Sequence, residues 1–257
     1  MKDKVVVEQS GISAGQMKDF WEKVKNGTID HQNFGAFLES PYMMIEGEVT
    51  LARAKRILGH LRVIGAVKAS QLWKGYYKPD LENLPIHYSF HTLKECAAQN
   101  RGDHNWRLIY INGLSLRDMK IKRGDDKIRF RKSDWIFREG EIFAAEKPEP
   151  GYYLIDLMPR FKNMNWKEQE EALKEIRPGL ERCHEAIVAN AILTFDLVQG
   201  ESMAMEWQHV GKFYDSSGHA HIFVGDYWEK EIGITTGIFD TGSNTKGVVV
   251  VANWETN

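Results

Sequence analysis

Residues 180–200, LERCHEAIVANAILTFDLVQG, decide how this chain folds. The run reads as one long helix over about 180–199, because no glycine or proline interrupts it. Ala186, Ile187, Val188, Ala189, Ala191, Ile192, Leu193, Phe195, Leu197 and Val198 cannot all face one partner at 3.6 residues per turn. A helix that is apolar on every side lies inside a fold or in a membrane. The run approaches the ~20 residues that span a bilayer, but Asn190, Thr194, Asp196 and a charged first turn argue against a span. The expectation is a central helix buried in the fold.

Working outward, the C-terminal side turns to strand. Residues 207–214, 220–224, 232–238 and 248–252 read as four strands joined by turn-forming DSSG and DTGSN segments, which predicts an antiparallel sheet. On the N-terminal side, Asn165 caps a charged amphipathic helix over 166–176, broken by Pro178-Gly179. Strands are expected at 152–158 and at 106–111, the latter ended by Asn112-Gly113. Further short strands are expected at 86–90, 128–130 and 135–137, and short helices at 91–100 and 115–122. Thr50 caps a helix that Gly59 ends, followed by a second short helix over 67–73, with the outline of a helix-turn-helix. The first fifty residues offer two amphipathic helices, one with Met17, Phe20, Trp21 and Val24 as its apolar face and one after Asp30. Helices first and clustered strands last give an α+β fold. Its expected parts are short N-terminal helices, a mixed middle, and the long buried helix packed on a C-terminal antiparallel sheet. The expected division is a mainly helical region over 1–85 and an α+β domain over 86–257.

Composition is that of a globular protein, 42% hydrophobic and 27% charged over 257 residues. The N-terminal apolar run is too short for a secretory signal. The two cysteines, Cys96 and Cys183, form no CxxC pair and point to a reducing compartment. Cytoplasmic placement follows, with no membrane partner. Charge is uneven: residues 51–78 hold seven basic residues and no acidic one, so a chain of net charge −2 carries −9 elsewhere. Arg53, Lys55, Arg56, Arg62, Lys68 and Lys74 are therefore candidates for binding a polyanion such as nucleic acid. The aromatics Trp73, Tyr76, Tyr77, Phe130 and Trp135 near the basic clusters suit base stacking. Solvated faces balanced by acidic neighbours are the plainer reading of the same charges.

Residues suited to catalysis are fewer. His219 and His221 share one face of a strand, and His209 on the preceding strand could join them in a zinc or iron site, against the default of ordinary strand histidines. Cys183, His184 and Glu185 are adjacent on a helix and so diverge by about 100° per residue. Asp196 needs a partner such as Arg160 or Arg182 if buried, and with Asp156 it could form a carboxylate pair. No GxSxG elbow, Walker A loop or strand–GxGxxG–helix is present, and no cofactor is called for.

Several segments together carry a resemblance: ARAKRILG (52–59), FHTLKECAAQN (90–100), WRLIYINGLSLRDM (106–119), KPEPGYYLIDLMPRF (147–161), ERCHEAIVANAILTFDLVQGE (181–201) and DSSGHAHIFVGDY (215–227). The chain resembles, over roughly residues 50–230, an uncharacterised family of bacterial hypothetical proteins. The resemblance implies one recurring architecture and carries no activity, cofactor or catalytic residue. The sequence alone therefore favours a non-catalytic binding protein that contacts nucleic acid or another polyanion through residues 51–78. The alternatives are a hydrolase using carboxylates or a histidine-bound metal, and a protein-interaction scaffold.

Overall fold

The computed structural model describes residues 14–25, 49–73, 84–123, 129–131, 140–176, 180–199, 208–214, 221–228, 231–237 and 246–252. It divides into two units, residues Met1–Gly47 and Glu48–Asn257. Residues 49–73 belong to the larger unit, where their short strand joins the sheet. Within the first unit, helix α1 (Ala14–Lys25) carries the Lys18–Glu22 ion pair and an edge-on Phe20–Trp21 contact. Trp21, expected on the apolar face, is 55% exposed. The helix expected after Asp30 lies outside the described residues.

The second unit is α+β. Its described helices are α2 (Leu51–Leu58), α3 (Ala66–Leu72), α4 (Phe90–Gln99), α5 (Leu116–Arg123), α6 (Trp166–Glu175) and α7 (Glu185–Gln199). The described strands are β1 (Val63–Ile64), β2 (Trp106–Ile111), β3 (Arg129–Arg131), β4 (Gly151–Arg160), β5 (Leu180–Arg182), β6 (Gln208–Tyr214), β7 (His221–Trp228), β8 (Glu231–Gly237) and β9 (Lys246–Ala252). They form a mixed sheet in the order β1-β2-β4-β9-β6-β7-β8-β3, with β5 also paired to β9.

Local chemistry sets the helix starts. Thr50 accepts the Arg53 N–H at the head of α2, and Ser89 accepts the Thr92 N–H at the head of α4. Asn165 and Glu168 form a reciprocal capping box on α6. Residues 86–89, expected to be a strand, serve instead as the approach to the α4 cap. Between α2 and α3 the chain makes a 3-10 turn (His60–Arg62) and then β1, which pairs parallel to β2. That inserted strand rules out a helix-turn-helix.

The decisive stretch departs from expectation at its start. Residues Leu180–Arg182 are strand β5, antiparallel to β9, and Cys183 N–H donates to the Val249 carbonyl. Buried backbone groups on β9 need partners, and these residues supply them. The helix begins only at Glu185, with the Ala186 N–H held by His184 Nδ1 at 3.0 Å. From Ala186 to Asp196 every residue is buried. Helix α7 contacts α3, α5, β2, β6 and β7. Two of its polar residues pair inside: Thr194 Oγ1 donates to Asn190 Oδ1 at 3.0 Å, and Asn190 Nδ2 donates to Asn112 Oδ1 at 3.3 Å. Among the described residues no helix is long and apolar enough to cross a membrane.

The C-terminal strands are not a simple antiparallel meander. Strands β6, β7 and β8 pair antiparallel in turn, but β9 returns beside β6 in parallel and separates it from β4. Two residues show how tightly α7 sits on this sheet. Gly211 of β6 is buried against Glu185, which is itself 1% exposed, and a Cβ at position 211 overlaps the Glu185 carboxyl and Cγ. Gly211→Ala is expected to lower stability by roughly 1–3 kcal/mol through overpacking, read as a drop in thermal midpoint. An unchanged midpoint contradicts this packing.

Candidate functional site

Two clusters of charged side chains stand out, one on the surface and one beside the sheet. The first is a groove of about 950 Å³ between α2 and α4. Arg53, Arg56 and Ile57 line it from α2, at the spacing of one helix face. Phe90, Lys94, Ala97 and Ala98 line it from α4, and Arg101 follows in the same stripe just past the helix end. Four cations thus border the groove against one carboxylate, Glu95. The Arg53 guanidinium lies 4.3 Å from the centre of the Phe90 ring and the Lys94 ammonium 4.5 Å from it. These cation–π contacts hold two of the charges over one aromatic platform.

The sequence candidates for polyanion binding do not stay together. Arg53 and Arg56 reach the groove, whereas Lys55 and Lys68 do not line it. Arg62 donates from Nη1 to Asn105 Oδ1 at 2.8 Å, on the side of the second cluster. Lys74 lies outside the described residues, as do Tyr76, Tyr77 and Trp135. Trp73 is 1% exposed and so is core, not a stacking surface. Lys94 and Arg101 were missed because attention to the acid-free run stopped at residue 78. Their seven-residue spacing, from the middle of α4 to just past its end, was the signal.

The second cluster centres on Asp156, fully buried on β4. Its Oδ1 accepts the backbone N–H of Asn105 at 2.7 Å and of Met158 at 3.1 Å. Its Oδ2 faces His104 Nδ1 at 2.7 Å and accepts from Arg160 Nη2 at 3.0 Å and Nε at 3.2 Å. A carboxylate oxygen this close requires a proton on Nδ1, so His104 donates to Asp156. Arg160 Nη2 also sits 3.0 Å from Nδ1, where it acts as a neighbouring charge and not as a bonded donor. Arg107 Nε and Arg62 Nη1 both donate to Asn105 Oδ1. Three guanidinium groups therefore surround the His104–Asn105 pair, against the single Asp156 carboxylate.

Asp196 does not join this site. It is 8% exposed on α7, and no hydrogen bond or ion pair links it to Asp156. The two arginines named as its partners are engaged elsewhere, Arg160 with Asp156 and Arg182 with Glu170.

Of the three histidines weighed as metal ligands, His209 is engaged within the sheet. Its side chain is fully buried, with both ring nitrogens in use. Nδ1 accepts the Val249 N–H at 3.0 Å, which leaves Nε2 to donate to the Cys183 carbonyl at 2.9 Å. Strands β5 and β6 lie end to end along one edge of β9, and the imidazole bridges the gap where one stops and the other starts. Burial, reinforced by the nearby Arg182 cation, pushes its pKa down from 6.5 to about 3. His221 lies on β7 three residues from Val224, the register partner of His209, so positions 209 and 221 belong to opposite faces. His219 lies outside the described residues. Among the described residues no group of three or more His, Cys, Asp or Glu is placed to hold a metal ion.

Comparison with known proteins finds no matching family model, no matching curated protein and no matching solved structure. The functional reading rests on the residues themselves.

Proposed function

We infer that this chain binds a polyanion, nucleic acid foremost, through the groove between α2 and α4. The observation that carries the reading is the convergence of Arg53, Arg56, Lys94 and Arg101 on one groove with a single carboxylate among them. Cations gathered along a groove neutralise successive phosphates and release counterions, which drives binding whatever the base sequence. The remainder of the chain, being net acidic, focuses this attraction on one region. Among the described residues the large exposed apolar side chains, Trp21, Leu61, Ile121, Ile142 and Met158, sit on separate elements, which favours this reading over a protein-interaction scaffold.

The test is fluorescence anisotropy with labelled single- and double-stranded DNA and RNA at low salt. Saturable binding is expected, and Arg53→Glu with Arg56→Glu is expected to weaken it by roughly 100-fold, about 1.4 kcal/mol per charge reversed. Lys68→Glu, outside the groove, leaves affinity within about threefold. No binding of any polyanion at low salt overturns the reading, and heparin bound to the exclusion of nucleic acid redirects it to a sulfated ligand.

A further inference from the structure

The Asp156 cluster has the parts of a proton-transfer site. Asp156 is fully buried and holds the Nδ1–H of His104, while the His104 side chain is 31% exposed. Two backbone N–H groups and Arg160 fix the carboxylate, so the imidazole it orients is fixed in turn. With Nδ1 protonated, neutral His104 keeps the lone pair of Nε2, and among the described residues Nε2 makes no hydrogen bond. A buried carboxylate that selects one tautomer and turns the other nitrogen into a base is the arrangement used for general base catalysis.

The surroundings define the substrate's charge. Arg160 lies against the imidazole and half-buried Arg62 reaches the next residue, Asn105, where Arg107, buried against Phe195, also donates but does not face the substrate. Guanidinium groups placed beside a base stabilise the negative charge that develops on a phosphoryl centre. The chain also ties this site to the groove. Arg101 lines the groove and His104, which lies outside that lining, follows three residues later, at most about 11 Å along the chain, within the reach of a bound polynucleotide. Among the described residues no serine, threonine or cysteine is hydrogen-bonded to His104, and a hydroxyl of the substrate can take the place of a protein nucleophile.

We propose that His104 is a general base that cleaves RNA bound in the groove. The inference rests on the polyanion reading and names its substrate. Nε2 of His104 takes the proton of a ribose 2′-hydroxyl, and the 2′-oxygen forms a bond to the adjacent phosphorus. The bond from phosphorus to the 5′-oxygen breaks, and that oxygen takes a proton from water. The imidazolium returns its proton to the hydroxide so formed. The products are a 2′,3′-cyclic phosphate and a 5′-hydroxyl, with no change of oxidation state. Asp156 acts as a positioning residue through the imidazole. DNA, lacking the 2′-hydroxyl, binds without being cut.

The experiment follows binding and cleavage of one labelled RNA and its DNA counterpart in the same samples, using the full chain. Cleavage of RNA alone is expected, with cyclic-phosphate ends. His104→Ala is expected to keep the affinity and lose at least about 100-fold in cleavage rate at saturating RNA. Added imidazole restores part of that loss, a readout that a merely structural histidine does not give. Asp156→Asn lowers the saturated rate without changing affinity, because the amide no longer selects the Nδ1–H tautomer. RNA that binds but stays intact overturns this inference and leaves the polyanion reading standing. Cutting by His104→Ala at the wild-type rate also overturns it, since the activity then belongs to a contaminant. Failure to bind any polyanion removes both.

Discussion

Asp156→Ala lowers the stability of the larger unit by about 3–5 kcal/mol, the cost of removing one member of a buried charge pair. The expected readout is a thermal midpoint about 10 °C lower. The reason lies in what the carboxylate holds. It accepts two backbone N–H groups, from Asn105 and Met158, and it is the counter-charge for Arg160 and the acceptor for His104. Alanine leaves the two N–H groups without their carboxylate acceptor in a half-buried site, and takes the counter-charge from the guanidinium. Asp156→Asn keeps an oxygen for the backbone donors and so costs less than alanine. Urea unfolding of the three proteins checks the order. A loss below about 1 kcal/mol for alanine shows that the cluster is not the anchor it is taken to be.

His209 gives the second large effect. His209→Ala strips a partner from both the Val249 N–H and the Cys183 carbonyl and opens a cavity, and is expected to cost about 3–5 kcal/mol. His209→Phe fills the space but restores neither hydrogen bond, so it is expected to recover little. A phenylalanine variant as stable as wild type reduces His209 to packing. The same site makes stability depend on pH. Because burial lowers the folded pKa from 6.5 to about 3, the unfolded chain binds the proton more readily. The contribution is fully present above pH 6.5 and is lost as pH falls from there towards 3, at about 1.4 kcal/mol per pH unit. Urea midpoints measured across that range for wild type and His209→Phe separate this component, since the variant lacks it.

How much of this was readable in the sequence follows from what each feature depends on. Strand β2 is an apolar run ended by Asn112-Gly113, and it forms over the expected residues, 106–111. Caps at Thr50 and Asn165 are local chemistry and were legible for the same reason. The start of α7 was not. Leu180–Arg182 carries no periodicity of its own, and only the unpaired edge of β9, seventy residues on, makes it a strand. The place of β9 between β4 and β6 is likewise a matter of sheet order, which turn residues do not encode.

The sites divide along the same line. Asp156 drew attention as a carboxylate on a strand, but its partner His104 lies 52 residues away in a connecting segment, and only the fold brings them together. His209 had the right type for a metal ligand, yet its use is set by two strands that meet end to end on β9. The groove was half visible, since Arg53 and Arg56 lie in the acid-free run while Lys94 comes from α4 and Arg101 from just beyond its end.

If a few groove cations bind phosphates, affinity falls with salt in proportion to their number. Log affinity for duplex DNA against log salt has a slope of about −0.9 for each phosphate neutralised. Four engaged cations, Arg53, Arg56, Lys94 and Arg101, predict a slope near −3.6 for wild type, and Arg53→Gln with Arg56→Gln brings it to about −1.8. A slope that stays the same in the double variant, or that is close to zero in wild type, contradicts the claim.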